Sequence, residues 1–88
     1  MREIEEIYIP LVRLIQQQPW ANLIDWDLVN TDYGMLYFYR HGSSINDFVA
    51  YLISDARNSY SLIDIPNRKA TVGDGEEILK ALHRALKA

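Results

Sequence analysis

Asp25 and Asp27 stand on either side of Trp26, a spacing of two that puts both carboxylates on one face of a β-strand. Such a pair could hold a hard divalent cation, or divide acid and base roles if the two pKa values were driven apart. Asp32 follows closely and would complete a carboxylate-based metal-dependent enzyme. Nothing else in the sequence gathers around these acids. Asp64 is followed by Ile65-Pro66-Asn67-Arg68-Lys69, so the acid–acid–lysine pattern of many metal-dependent nucleases is missing. The simpler expectation is a polar strand face whose charges discourage edge-to-edge pairing.

Cysteine is absent, which excludes disulfides and thiolate metal sites. His41 and His83 are the two imidazoles, and a zinc site would have to recruit carboxylates as well. The serines sit in turn-like contexts, and no strand-turn-helix elbow presents one as a nucleophile. Gly73-Asp74-Gly75 precedes a helical pattern, and a helix N-terminus can bind an anion. Asp74, Glu76 and Glu77 already bring negative charge there, so Asp74 reads as a helix cap. The expectation is therefore a chain with no catalytic residue, no metal site and no cofactor.

The six tyrosines offer a different chemistry. Tyr37 and Tyr39 share a strand face with Met35, while Leu36 and Phe38 take the other. If Leu36 and Phe38 point under helices, the tyrosines line the uncovered face, where Tyr51 and Trp26 could join them. Tyrosine gives a rigid surface with a polar tip, suited to binding a protein at low entropic cost. Rows of such rings also stack bases in sheet-based RNA binders. Cross-strand pairing on a solvated face would account for them as well. Arg40, together with Arg57, could rim this face if both lie at strand ends.

The elements that position these residues follow from periodicity. From Arg2 to Gln18, Ile4, Ile7, Tyr8, Leu11, Leu14 and Ile15 make one face of an amphipathic helix. Pro10 inside that pattern predicts a kink or a late start, and Gln18-Pro19 closes it. Ile24, Trp26 and Leu28 then alternate with Asp25, Asp27 and Val29 as a strand. Asn30 to Gly34 supplies turn formers, and Met35 to His41 is a second strand, so the two form a hairpin.

Ile45 to Ala56 fits two templates. As a helix it gathers Ile45, Phe48, Val49, Leu52, Ile53 and Ala56 on one face; as a strand, Phe48 to Ser54 is rich in β-formers. The strand is favoured because it joins its neighbours by short connections. Asp55 to Asn58 would then be a hairpin loop, Tyr60 to Ile65 another strand, and Pro66 to Lys69 its end. Asp74 with Glu77 opens a final helix whose stripe is Ile78, Ala81, Leu82, Ala85 and Leu86.

The expected fold is α+β. It is a two-layer sandwich with an antiparallel three- to four-stranded sheet, flanked in sequence by an N-terminal and a C-terminal helix packed on one face. The order is α-β-β-β-β-α, with α-β-β-α-β-α as the alternative. The 88 residues allow one domain. The net charge of −3 lies wholly in residues 1–44, with six acidic and three basic groups there and six of each beyond. That argues against a nucleic-acid partner held by a broad basic surface. No run reaches the length of a membrane span. The opening residues are acidic where a signal peptide would be basic, so a cytoplasmic location is expected.

The function these residues point to is a non-enzymatic protein-interaction module, a small adaptor, inhibitor or immunity-type protein. It would bind through an aromatic open sheet face built from Tyr37, Tyr39, Tyr51, Trp26 and Met35, with Arg40 at its rim. A second copy of the chain, giving a homodimer, is one candidate partner. Single-stranded nucleic-acid binding on the same tyrosines and a carboxylate-based metal-dependent enzyme are the alternatives.

Overall fold

The computed structural model describes residues 2–29, 34–56 and 59–88. It contains helix α1 (Arg2–Gln16), strands β1 (Ile24–Val29), β2 (Met35–Arg40), β3 (Ala50–Ala56), β4 (Ser59–Asp64) and β5 (Lys69–Gly73), and helix α2 (Gly75–Lys87). Single 3-10 turns at Ala21–Leu23 and Ile45–Asp47 lead into β1 and towards β3. The five strands form one antiparallel sheet in sequence order. The fold is α+β, with a helix at either end of a run of strands. The Asn30–Tyr33 part of the first turn and Arg57-Asn58 of the β3–β4 loop lie outside the described residues.

The favoured strand over the second half of residues 45–56 is present, and one expectation, the number of strands, needs correction. Residues 45–56 form a short turn and a strand, which removes the alternative with a middle helix. The physical reason is the inner edge of β2: Phe38 pairs with Ala50, and the Phe38 carbonyl accepts the Val49 N–H at 2.8 Å. A helix over this stretch would leave those groups of β2 without ladder partners. The correction is a fifth strand, where three to four were expected. Pro66 to Lys69 turns the chain rather than ending the sheet, and Lys69 to Gly73 returns antiparallel to β4. Arg68 takes a left-handed conformation in that turn (φ 53°). The buried Asp64 carboxylate accepts the backbone N–H of Asn67 at 3.2 Å and its side-chain amide at 2.8 Å, a side-chain turn of the kind aspartate favours.

Both helices pack on one face. Leu11 and Ile15 of α1, Ile78 and Leu82 of α2, and Phe38, Leu52 and Leu62 of the sheet are fully buried together. Each such side chain contributes roughly 1.5–3 kcal/mol by leaving water. α2 lies over β4 and β5 and touches α1. Gly75 permits that approach, because a Cβ there would stand 2.8 Å from a Leu14 methyl group. Asp74 caps α2 as its sequence indicates, accepting the Glu77 N–H at 3.1 Å.

α1 is pinned by Tyr8, whose ring stacks on Tyr60 at 6.4 Å. The Tyr8 hydroxyl lies 3.2 Å from the Gly34 carbonyl and 3.3 Å from that of Leu52, and accepts the Ser54 N–H at 3.2 Å. The helix runs continuously through Pro10. The Tyr60 hydroxyl donates to the Ile7 carbonyl at 3.2 Å, in the turn where the proline disturbs the helical ladder. No helix among the described residues is long and apolar enough to cross a membrane.

Candidate functional site: the helix-free sheet face

Strand alternation assigns every second residue to the face away from the helices. Leu36 and Leu52 are cross-strand partners under the helices, and Leu62 continues their row. One position along, Asp27, Tyr37, Tyr51, Ile63 and Ala70 form a row across all five strands on the opposite face. Val29 with Met35, and Ile53 with Ser61 and Val72, continue this face towards one end; Asp25 with Tyr39 continues it towards the other. An antiparallel sheet with one covered face normally turns polar residues outward. Here the centre of the outward face is aromatic.

Tyr37 and Tyr51 stack with centroids 5.6 Å apart, and Phe48 meets Tyr37 edge-on at 4.8 Å and Tyr51 at 6.1 Å. Aromatic pairs of this geometry contribute about 0.5–1.5 kcal/mol each beyond their buried area. All three residues remain partly exposed. Tyr39 donates its hydroxyl to Asp27 at 3.0 Å. That bond, more than its slight burial or the charges of Asp27 and Asp25, raises the Tyr39 pKa above the ordinary value of 10.0. Asp25 accepts from or pairs with His41 Nδ1 at 3.0 Å in an exposed contact, an arrangement contributing at most about 1 kcal/mol.

The structure brings together Tyr37, Tyr39, Tyr51 and Met35 from the set singled out in the sequence. Trp26 and Arg40 do not join them. Trp26 pairs with Phe38, so alternation turns it to the helix side, where it packs against the core. Arg40 pairs with Ile24 on that same side, and its Nη2 reaches the Leu86 carbonyl at 3.4 Å and the Ala88 carbonyl at 2.6 Å. It serves the negative end of α2 rather than the tyrosine rim. Arg57, the other proposed rim charge, lies outside the described residues.

Phe48, Ile53, Ile63 and Val72 belong to this face and were not singled out. Alternation within Tyr60 to Ile65 carries the signal for Ile63. Phe48 has none, since it follows a 3-10 turn where period-two counting does not apply.

Asp25 and Asp27 are engaged by His41 and Tyr39, and Asp32 lies outside the described residues. Among the described residues no three of His, Cys, Asp and Glu gather closely enough to hold a metal ion. His83 stacks flat on Trp20 at 5.0 Å and tilts only 9° from it, a packing role. A depression of about 330 Å³ lies on the helix side, lined by Tyr8, Ile9, Val12, Trp26, Leu28 and Leu36, with Asp27 also in its wall. No family model, curated protein or solved structure matches this chain.

Proposed function

We propose that the chain is a non-enzymatic protein-interaction module that engages a protein partner through the helix-free face of its sheet. The observation that supports this is the continuous aromatic and aliphatic row across the uncovered side. Tyr37, Tyr51 and Phe48 stand at its centre, Met35, Ile53, Ile63 and Val72 surround them, and Val72 is 66% exposed. Central aromatic anchors with a polar margin are the residue distribution that dominates protein interfaces. A nucleic-acid strand is a poorer fit, because Asp25 and Asp27 border the tyrosines and repel phosphate.

The test compares the tagged chain with a Tyr37→Ala, Tyr39→Ala variant. Light scattering gives the mass, affinity capture gives the partners, and circular dichroism confirms the fold. The variant is expected to keep its fold and lose association. A wild-type chain that is strictly monomeric and captures nothing would overturn the reading.

A further inference from the structure

We propose that the occupant of this face is a second copy of the chain, docked face to face about a two-fold axis that runs parallel to the strands. β1 of each copy then lies over β5 of the other. The proposal rests on the interface reading above and adds the partner and its orientation.

Charge placement carries it. Among the described strand side chains, Asp25 and Asp27 put charge on the open face, both on edge strand β1. At the opposite edge, Arg68 lines a depression with Ile63, Asp64, Ile65, Lys69 and Ala70; Ile63 and Ala70 are open-face residues, while Lys69 pairs with the buried Asp64 and falls on the helix side. The antiparallel register puts both groups at the same end of the sheet. β1 begins there opposite the end of β2, and β4 ends there opposite the start of β5. The face is thus acidic on the β1 flank and aromatic in the middle, with Arg68 in the turn that borders its other flank.

A two-fold axis between two facing sheets can lie along the strands or across them. An axis across the strands lays β1 on β1 and brings Asp27 towards Asp27, a repulsive contact. An axis along the strands and centred on β3 lays β1 on β5. It brings Asp25 towards Arg68 twice over, once from each copy, as an isologous pair requires. Tyr51 then meets its own equivalent at the axis, and Tyr37 lies over Ile63. Sheets that pack face to face keep their strands within about 30° of one another, which this arrangement satisfies.

The size is adequate. Five strands at about 4.8 Å spacing and about six residues at 3.3 Å give a face on the order of 500 Å². Two such faces bury on the order of 1,000 Å², near the lower bound for a specific interface. A concentration-dependent dimer is expected.

Sedimentation equilibrium at low salt tests the arrangement with Asp25→Lys, Arg68→Glu and the double variant. Each single reversal places like charges together at two symmetric sites and is expected to weaken dimerisation about tenfold. The double reversal restores opposite charges and should recover wild-type association. Because the chain has no cysteine, cross-linking supplies an independent readout that does not rely on the charge variants. A short bis-maleimide should join two copies of Tyr51→Cys and leave Asp27→Cys single.

A wild type that stays monomeric to about millimolar concentration overturns the proposal while the interface reading is still judged by capture, since that concentration greatly exceeds what such an area needs. A dimer that depends on Tyr51 but cross-links through Asp27→Cys overturns the orientation and leaves the interface reading intact. A dimer indifferent to Tyr51→Asp uses another surface, and both readings fall.

Discussion

Replacing Asp64 by alanine tests how the last strand is attached. Asp64 is fully buried at the end of β4. Its carboxylate accepts two hydrogen bonds from Asn67, at 3.2 and 2.8 Å, and faces Arg84 Nε of α2 at 3.5 Å. Bonds to an ionised acceptor contribute about 1.5–3 kcal/mol each. Part of that is recovered in the variant, because Asn67 is half-buried and water can reach it. The Arg84 side chain is 45% exposed, so its pairing adds no more than about 1 kcal/mol. Against these losses stands relief from keeping a carboxylate out of water.

The net expectation is a loss of about 3 kcal/mol in Asp64→Ala. In a domain of this size that lowers Tm by roughly 12–24 °C. Guanidinium titrations followed by tryptophan fluorescence and far-UV circular dichroism give the value, with the denaturant slope unchanged if unfolding stays two-state. Arg84→Met should cost less than Asp64→Ala, because Asn67 continues to satisfy the carboxylate. A loss below about 1 kcal/mol in Asp64→Ala would refute the reasoning. An Arg84→Met loss equal to it would show that the guanidinium, not Asn67, holds the acid.

Two further outcomes follow from single side chains. Burial raises the Tyr8 pKa above 10.0, opposed by the Ser54 N–H and aided by Tyr60, and burial likewise raises Tyr60. A folded-state pKa above the unfolded value gives stability that is whole below about pH 10 and lost as pH rises through the folded value. Denaturant melts between about pH 7 and pH 11.5 should show this loss, and Tyr8→Phe should flatten it at a cost of about 1 kcal/mol near neutrality. Asp74→Ala removes the acceptor of the Glu77 N–H. It should lower stability by about 1 kcal/mol in the same melts, while Asp74→Asn or Asp74→Ser keeps most of it.

Much of the fold was legible because it rests on strong periods. The stripe from Ile78 to Leu86 and the alternation from Met35 to Tyr39 appear in the structure as read. Residues 45–56 satisfied two periods at once, and what decided between them was the unpaired edge of β2, a tertiary demand that no local pattern encodes. β5 was hidden for the opposite reason. Its sequence Lys-Ala-Thr-Val-Gly has little apolar pattern, since it is an edge strand largely exposed to water. The tyrosine face was legible as far as one strand's alternation reaches. Trp26 was assignable only with the β1–β2 register, which sets it opposite Phe38 rather than beside Tyr37. Arg40 holds the strand-end place that suggests a rim charge, but alternation sets it one step from Tyr39, on the side of Ile24 and α2.

The aromatic cluster has a purely internal explanation that must be weighed against an interface. Tyr37, Tyr51 and Phe48 contact one another, and cross-strand pairs of this kind stabilise a sheet without any partner. That account ends at the third ring. Ile53 and Ile63 extend the apolar row beyond the cluster onto β3 and β4, and Val72 carries it to an exposed edge strand where a polar residue would pair as well. Tyr39 lies outside the cluster too, tied to Asp27 at the acidic flank. If the rings served only the sheet, Tyr37→Ala would lower stability and Val72→Ser would change nothing. If the face is an interface, Val72→Ser should leave the melting curve within about 0.5 kcal/mol of wild type yet weaken association. The separation of those two readouts is what assigns the surface, because an edge valine contributes little to folding and a shared one contributes to binding.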